Sequence, residues 1–351
     1  MNTVCRWMIL NPNTQKRNGI EMKKNTFVLN ELLWEFTLSC NKNCKYCGSK
    51  ALVNKEKEAE INRKYIAKEI AAAKPKEVTF TGGEPSVLMK ELDECAGILC
   101  KKGIKCKVLT NGNLFKNKLD DDFNKKFECF GYSINELEDI ENAMSILTNI
   151  PREKTTIVTN FGTHNIDIFE KIAKFALMFP VWQVQLTMGN EFQLDLPDIE
   201  SLIQKVNTLP NNMINVVRAD NFNCGDCYAG ISCCSITWDG NVIPCLSYRA
   251  WKSDVMSQGN VFKDSLEKIW KNKFHFFRTR QFCPCCKNIS GIKEIENKNE
   301  QTFPEDVFPH EPNSNPPPAH DKVFVYGVVT PKPVVTYGVA DNTIIVYGVF
   351  N

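Results

Sequence analysis

The 351-residue sequence lacks long apolar runs and an excess of charge of either sign, and it contains only four histidines. No apolar run approaches the roughly 20 residues that a membrane-spanning helix needs, and we find no apolar signal segment that would direct export. The chain carries 43 basic and 41 acidic side chains, a net charge of +2, which gives no reason to expect a nucleic-acid or lipid partner. We therefore expect a cytoplasmic protein that binds neither membranes nor nucleic acids.

Cysteine, by contrast, is abundant, with 16 residues in the chain. Because glutathione and thioredoxin keep cytosolic thiols reduced, this number points to metal ligation rather than to disulfides. Most of the cysteines fall into two groups along the sequence. The early group is Cys40, Cys44 and Cys47, and the later group is Cys224, Cys227, Cys233, Cys234, Cys245, Cys283, Cys285 and Cys286.

The early group has the spacing C-x3-C-x2-C, with Tyr46 directly before the last cysteine. Three thiolates on one short loop can bind three irons of a [4Fe–4S] cluster, which leaves the fourth iron open to a small molecule. A zinc knuckle would need two ligand pairs, and the x3 gap without a nearby histidine fits it poorly. A disulfide would leave one thiol of the three unpaired. The spacing therefore favours an iron–sulfur cluster.

This spacing, followed by the motif Gly82-Gly83-Glu84-Pro85, resembles the radical S-adenosylmethionine (SAM) superfamily. The resemblance implies that the early cysteines hold a [4Fe–4S] cluster whose open iron is chelated by the amino and carboxylate groups of SAM. One electron, delivered by a donor such as a flavodoxin or ferredoxin, would then cleave SAM. The resulting 5′-deoxyadenosyl radical would abstract hydrogen from a substrate, while the protein orients the reactants.

Short apolar strands alternate with amphipathic helical segments through most of the chain. Strands are predicted over residues 33–39, 77–81, 105–110, 128–134, 155–159 and 182–188, and helices over 62–73, 90–102, 136–148 and 166–179. This alternation predicts βαβ units around a parallel sheet. Six such units fit an α/β fold of the partial (β/α)6 TIM-barrel type, which the family resemblance also implies. In such barrels the loops at the C-terminal ends of the strands carry the chemistry.

Polar residues at the ends of the predicted strands are candidate SAM ligands. The resemblance assigns the segment 82–85 to the SAM amino group, and its glycines suit a backbone that approaches a ligand closely. Residues after strands three, four and five would contact the ribose, carboxylate or adenine of SAM, with ordinary turn chemistry as the alternative. The candidate SAM-binding residues are Tyr46, Gly82, Gly83, Glu84, Pro85, Asn111, Ser133 and Asn160.

The later cysteine group contains a C-x12-G-x4-C pattern that runs from Cys227 through Gly240 to Cys245. The stretch from Trp238 to Asn241 is typical of a hairpin turn that brings the flanking cysteines together. The pattern resembles the opening of a SPASM or twitch domain, the auxiliary iron–sulfur module of many peptide-modifying radical SAM enzymes. A helix predicted over residues 265–271, followed by more cysteines, continues the order of that module.

The resemblance also implies a ligand set for at least one auxiliary iron–sulfur cluster. The predicted ligands are Cys227, Cys245, Cys283 and Cys286, with Cys224, Cys233, Cys234 and Cys285 as substitutes. Because the last cysteines of a full SPASM pattern are absent, a twitch-like module with one auxiliary cluster is the better fit. A zinc ribbon built from the pairs 224/227 and 283/286 is the alternative. The adjacent cysteines at 233 and 234 leave a second auxiliary cluster open.

The tail changes character after the last cysteine. A polar segment ends in a proline-rich linker, and a Tyr-Gly-Val triplet then occurs three times, with Tyr326, Tyr337 and Tyr347 as its tyrosines. One interpretation is a three-stranded β-meander that serves for interaction, although so small a sheet is marginal unless it packs on something. The other is that the tail is a substrate, because repeated Tyr-Gly steps behind a linker resemble the core peptides of spliceotides. Radical SAM spliceases excise a tyramine unit from such peptides.

These patterns predict five segments and a class of substrate. The segments are an N-terminal extension over 1–30, a radical SAM partial barrel over 31–218, an auxiliary cluster domain over 219–290, a proline-rich linker over 291–322 and a Tyr-Gly repeat tail over 323–351. We expect a ribosomally made peptide as substrate, either the fused tail or a peptide presented by a small leader-binding partner, because no leader-binding domain is evident before residue 30.

The most specific hypothesis for the reaction is tyramine excision at X-Tyr-Gly, which gives an α-keto-β-amino acid. Peptide cyclisation through a thioether or cyclophane and epimerisation are the enzymatic alternatives. A non-catalytic iron–sulfur or zinc protein with an interaction tail is the alternative from another class. The Gly-Gly-Glu-Pro motif argues against it, since a purely structural cluster needs no SAM site.

Overall fold

The computed structural model describes residues 27–47, 61–187, 191–209, 215–218, 229–246, 257–279, 324–328, 334–340 and 343–349. The chain divides into two compact units. The first comprises Met1–Phe222 and Asp226–Gln281, and the second comprises Asn223–Gly225 and Phe282–Asn351. Among the described residues, no helix is both long and apolar enough to cross a membrane.

The first unit is built on a mostly parallel sheet of ten strands. The strands are β1 (Glu31–Thr37), β2 (Glu77–Gly82), β3 (Lys105–Thr110), β4 (Phe127–Ser133), β5 (Thr155–Phe161), β6 (Val181–Leu186), β7 (Asn215–Arg218), β8 (Cys233–Ile236), β9 (Asn241–Ile243) and β10 (Gly259–Asn260). Their order is β10-β9-β8-β1-β2-β3-β4-β5-β6-β7, with β1 to β7 all parallel. The six predicted strands are confirmed with ends shifted by no more than two residues. Strand β7 was not predicted.

Helices connect the parallel strands β1 to β7. They are α1 (Arg63–Ala73), α2 (Met89–Cys100), α3 (Asp121–Lys126), α4 (Leu137–Ser145), α5 (Phe169–Ala176) and α6 (Leu196–Asn207), and two further helices, α7 (Leu266–Lys273) and α8 (His275–Thr279), follow β10. The predicted helices are confirmed, but α4 ends three residues before position 148 and the first turn of the segment 166–179 is a separate 3-10 helix. After α4 the chain continues as a short 3-10 helix over Leu147–Asn149. Helices α3, α6 and α8 were not predicted.

An aromatic cluster holds the first strands and their helices together. Trp34 and Phe36 of β1 both contact Phe80 of β2, with ring centroids 5.4 and 5.5 Å apart, and Phe80 in turn contacts Phe127 of β4 at 6.0 Å. All four side chains are fully buried. Such close packing makes the centre of the sheet rigid. The loops at the C-terminal edge of the sheet therefore start from fixed strand ends.

The predicted cysteine hairpin joins the same sheet. Strands β8 and β9 are antiparallel, with Ser235 opposite Ile243, and the turn between them covers the predicted Trp-Asp-Gly stretch. Strand β8 runs parallel to β1, with Cys234 opposite Leu32. The hairpin turn therefore lies at the C-terminal edge of β1, whereas the cysteine that follows β9 lies toward its N-terminal edge.

The tail forms a three-stranded sheet, but it is not a meander. Its strands are β11 (Phe324–Val328), β12 (Val334–Ala340) and β13 (Thr343–Val349), in the order β11-β13-β12. A meander would place β12 in the middle, so that prediction is wrong. Only two residues join β12 to β13, which pair as an antiparallel hairpin, while β11 adds in parallel to the other side of β13. The parallel register sets Tyr326 opposite Tyr347 and Gly327 opposite Gly348, so identical triplets align.

Candidate functional site

The loop after β1 carries the early cysteine group at the C-terminal edge of the sheet. Cys40 and Cys44 are half-buried, Cys47 is exposed, and all three are free thiols. The Cys47 amide donates to the Cys44 carbonyl at 3.2 Å, which closes a turn between the last two cysteines. The Cys40 sulfur accepts the amide of Lys42 at 3.4 Å. The sulfurs are thus presented on a compact loop rather than paired with one another.

Two glycines after β2 pack against the start of this loop. The Gly83 amide donates to the Thr37 carbonyl at 2.7 Å, and the next amide donates to the Ser39 carbonyl at 2.8 Å. A Cβ atom on Gly83 would lie 2.6 Å from the Leu38 carbonyl oxygen and closer still to that of Ser39. Gly82 has a φ of +126°, which disfavours any side chain. The close approach expected of these glycines is therefore an approach to the backbone of the cysteine loop.

Glu84 ties the tips of β2 and β3 together. Its side chain is buried and accepts from the Ser86 amide at 3.1 Å, the Ser86 hydroxyl at 2.6 Å, the Thr110 hydroxyl at 3.0 Å and the Asn111 amide at 2.7 Å. Burial raises the pKa of this carboxyl, while the hydrogen bonds oppose the shift. Glu84 therefore serves as a hydrogen-bonding centre that positions the loops, and Pro85 starts the short 3-10 helix that follows it.

A chain of amide side chains continues this network to the cysteine loop. The Asn111 side-chain amide donates to Asn41 Oδ1 at 2.9 Å and approaches the Cys40 sulfur at 3.7 Å. Asn41 in turn donates to Asn113 at 3.3 Å, and Asn113 donates to the Ser86 hydroxyl at 2.8 Å. The two asparagines at 41 and 113 were missed by sequence reasoning, because isolated Asn residues in loops are ordinary turn residues.

Ser133 and Asn160 lie at the ends of β4 and β5, where the sequence predicted them. Both are half-buried, and neither side chain has a hydrogen-bond partner among the described residues. Their surroundings are held by Asn135, whose side-chain oxygen accepts the Asn160 amide at 2.7 Å, and by Asn165, which donates to the Asn160 carbonyl at 3.1 Å. The two candidate side chains are therefore available to a ligand on a fixed backbone.

An ion pair and a ring stack anchor the outer part of the cysteine loop. Lys42 pairs with the buried Asp139 at the start of α4. Burial by itself would lower the pKa of Lys42, but the hydrogen bond and charge of Asp139 raise it above its usual value. The Tyr46 ring stacks on the His164 ring with centroids 4.1 Å apart, and burial raises the pKa of Tyr46.

His164, which lies between Tyr46 and Phe192, was not predicted from the sequence. Both of its ring nitrogens are buried without a hydrogen-bond partner in the described part of the chain, and burial lowers its pKa. Its ring centroid is 5.5 Å from that of Phe192. The imidazole is thus held as an aromatic support for Tyr46. A single histidine after a strand carries no signal that could have indicated this contact.

Only part of the later cysteine group lies in described residues. Cys245 follows β9 and is half-buried, as is Cys233 at the start of β8. Cys234 is fully buried beside β1, and burial raises the pKa of its thiol. The other members, Cys224, Cys227, Cys283, Cys285 and Cys286, lie outside the described residues.

Comparison with known families identifies both cysteine regions. Residues 34–176 match the model of the radical SAM superfamily, and residues 224–303 match the SPASM model, an iron–sulfur cluster-binding domain. The first match covers β1 to β5 and thus the cysteine loop and the glycine motif. The chain therefore contains a radical SAM domain followed by a SPASM domain. Radical SAM proteins carry a [4Fe–4S] cluster with SAM, and the SPASM domain implies auxiliary iron–sulfur clusters.

The residues of this radical SAM chain fit such a cluster. In the described residues, no three His, Cys, Asp or Glu side chains are grouped around a point that could hold a single metal ion. A [4Fe–4S] cluster makes no such demand, because each thiolate binds a different iron. The three thiols are free, and Cys40 already accepts N–H donors of the kind that stabilise a thiolate.

Several proteins are similar to this radical SAM chain. An uncharacterised protein of Methanocaldococcus jannaschii is 26% identical over 207 residues, 52% of this chain and 71% of the relative. Streptococcus suis SuiB bound to S-adenosylmethionine is 14% identical with a TM-score of 0.55, and the match covers 71% of this chain and 67% of SuiB. The enzyme anSMEcpe with bound AdoMet and a peptide is 16% identical with a TM-score of 0.53, over 70% of this chain and 82% of that one. At these identities the structural neighbours show a shared fold.

Proposed function

We propose that Cys40, Cys44 and Cys47 bind the SAM-cleaving cluster and that the chain uses it to modify a ribosomally made peptide. When bound, the cluster and SAM supply a 5′-deoxyadenosyl radical that abstracts hydrogen from the substrate. The observation that carries the assignment is the backbone clamp, in which Gly83 and Glu84 hold the start of the cysteine loop. A loop that must keep three thiols in a fixed arrangement needs such rigid support.

The other predicted residues take distinct roles in this proposal. Tyr46, backed by His164, forms an aromatic wall beside the last cysteine of the loop. Ser133 and Asn160 have side chains that no described residue uses, so they are available to hydrogen-bond SAM. Asn111 approaches the Cys40 sulfur and positions it. In this arrangement Glu84 acts on the site through its neighbours.

Triple substitution of the loop cysteines with Ala tests the cluster assignment. We expect reductive formation of 5′-deoxyadenosine to stop and the iron content to fall by about four per chain, while auxiliary iron stays in place. Cys100→Ala, which changes a cysteine at the far end of α2, is the matched control and should leave both readouts unchanged. Undiminished SAM cleavage by the triple variant would show that the assignment is wrong.

The auxiliary cluster is proposed to use Cys227, Cys245, Cys283 and Cys286. Extending the β8–β9 register by two residues sets Cys233 opposite Cys245, so we favour Cys233 among the substitute ligands. The two cysteine regions lie toward opposite ends of β1. Residues 31 to 37 of this strand span about 20 Å at the usual rise per residue. Anaerobic reconstitution should therefore load about eight irons if both are four-iron clusters. Four irons with one zinc would support the zinc ribbon instead.

We infer that the substrate is a peptide, most specifically the Tyr-Gly repeats of the tail. SuiB has been solved with its precursor peptide SuiA, and anSMEcpe with a peptide, and both share this fold. The tail supplies three X-Tyr-Gly steps, of which those at Tyr326 and Tyr347 are aligned, and tethering to the chain raises the effective substrate concentration, to the millimolar range when the linker is short and flexible. Because sheet pairing occupies the backbone of each step, a strand must leave the sheet to react. The proposed reaction is tyramine excision at Tyr326, Tyr337 or Tyr347.

Intact mass of the tail after anaerobic turnover tests the substrate proposal. Excision removes one tyramine equivalent per event and leaves a ketoamide that reacts with carbonyl reagents, whereas a cross-link would remove only two hydrogens. Gly348→Ala should block reaction at Tyr347. Ile344→Ala, which weakens the same strand outside the triplet, should not block it. An unmodified tail after many SAM turnovers, with a leader-binding partner and electron donor supplied, would show that the tail is not the substrate.

A further inference from the structure

A basic cleft lies at the N-terminal edge of the sheet, the edge opposite the cysteine loop. It has a volume of about 420 Å³ and lies between the end of α2, the start of β3 and the end of α3. Two cysteines and four lysines line it, together with a single acidic residue, Glu128. These are Cys100, Cys106, Lys105, Lys125, Lys126 and Lys154. The proposed SAM chemistry uses none of them.

The two cysteines form a close pair with unequal access. Their sulfurs are 3.8 Å apart, within hydrogen-bonding distance for sulfur. Cys100 is half-buried at the mouth of the cleft, whereas Cys106 is 1% exposed and lies 3.9 Å from the Ala96 and Ile104 carbonyls. The Cys100 sulfur in turn lies 3.2 Å from the Lys126 carbonyl, so burial rather than the number of acceptors distinguishes the two thiols. Only Cys100 can meet a reagent in the cleft.

The surroundings favour a thiolate at Cys100. The hydrogen bond with Cys106 lowers the pKa of Cys100 to about 7. Burial opposes this shift, and the nearby charge of Lys126 assists it. A thiol whose pKa lies near the ambient pH combines a substantial thiolate fraction with good nucleophilicity. Cys100 is therefore suited to attack, and Cys106 to resolve the product.

The charge of the lining selects the reagent. Lys105 pairs with Glu128, and Lys126 pairs with Asp93 and Asp122 outside the lining. Lys154 binds only backbone carbonyls, those of residues 124 and 127, so its charge has no carboxylate partner in this network. Four lysines against Glu128 and these two aspartates leave a net positive charge around the cleft, which attracts anions.

We propose that Cys100 and Cys106 form a redox modification site that reacts with low-molecular-weight disulfides carrying carboxylates. The Cys100 thiolate attacks one sulfur of the reagent, breaks its S–S bond, forms a mixed disulfide and releases one thiolate. Cys106 then attacks the Cys100 sulfur, forms the intramolecular disulfide and displaces the second thiolate of the reagent. The two released thiolates take up the two protons that the cysteines lose. Two electrons pass from the cysteine pair to the reagent. This site is independent of the cluster and its chemistry.

Peptide mass spectrometry on the anaerobically purified, iron-loaded chain tests the proposal. The probes are 3,3′-dithiodipropionate, which is anionic, and cystamine, which is cationic. Lysines at 101, 102 and 105 lie between the two cysteines, so trypsin converts the disulfide into a linked pair of peptides. We expect that linked pair in the wild type, with iron content unchanged. The anionic probe should react about tenfold faster at low salt, and the difference should shrink at high salt.

Variants assign the two roles. Cys106→Ser should accumulate a mixed disulfide at Cys100, and Cys100→Ser should leave Cys106 unmodified. Lys154→Gln should slow the anionic probe several-fold without slowing the cationic one. Equal rates for the two probes in the wild type, or modification of Cys106 in Cys100→Ser, would overturn the proposal. The probe comparison needs no variant, so it decides the matter even if a substitution prevents folding.

Discussion

Replacement of Gly83 by Ala gives the most direct test of the clamp on the cysteine loop. The new Cβ atom would lie 2.6 Å from the Leu38 carbonyl oxygen, whereas ordinary contact begins at 3.4 Å, so the two backbones must separate by at least about 0.8 Å. That movement breaks the bonds from the amides of residues 83 and 84 to Thr37 and Ser39. Overpacking and the loss of two backbone hydrogen bonds together cost about 2–6 kcal/mol.

The assay has two readouts, urea unfolding under anaerobic conditions and reductive cleavage of SAM. We expect Gly83→Ala to lower the free energy of unfolding by the amount given above and to lower SAM cleavage at least tenfold, because the cysteine loop shifts. Gly97→Ala is the matched control, since a Cβ there meets nothing within 4 Å in α2 and should stabilise the helix by about 0.5–1 kcal/mol. Wild-type stability together with wild-type SAM cleavage in Gly83→Ala would refute the clamp.

Three further predictions concern the same edge of the sheet. Glu84→Gln replaces one buried acceptor with a donor that faces other donors, so we expect a loss of about 2–4 kcal/mol in unfolding free energy. The control Glu128→Gln changes an exposed ion pair and should cost less than about 1 kcal/mol. Lys42→Gln removes the partner of Asp139 and should lower the unfolding free energy by about 1–3 kcal/mol. If Asp139→Asn lowers the unfolding free energy equally in the wild type and in Lys42→Gln, the ion pair makes no contribution. Removing iron with a chelator should abolish 5′-deoxyadenosine formation, and reconstitution should restore it; cleavage that persists in an iron-free chain would contradict the assignment.

The short-range patterns of the sequence predicted the parts of this protein that depend on neighbours along the chain. The x3/x2 spacing sets three thiols within eight residues, so Cys40 and Cys47 must share a loop whatever the rest of the fold does. The alternation of strands and helices predicted a parallel sheet, because a parallel connection needs a crossover. The turn around Gly240 predicted the hairpin, since a tight turn between two strands leaves few other arrangements.

Tertiary structure decided which of these parts meet. Nothing local indicates that β8 pairs with β1, or that Glu84 accepts the amide of a residue 27 positions further along the chain. The contact of His164 with Tyr46 likewise joins loops after two strands that are far apart in sequence. Such contacts depend on strand order and on the register of parallel strands, which the alternation pattern leaves open.

The tail shows the same division. Its composition predicted three strands, and three strands are present. The composition did not predict their order in the sheet. A turn of two residues forces β12 and β13 into a hairpin, whereas the longer connection after β11 allows that strand to reach either edge of it. The sequence alone thus determined the cysteine loop and most of the strands and helices. Only the tertiary structure decided which edges pair and which polar groups meet, because those choices follow from non-local packing and the satisfaction of buried hydrogen bonds.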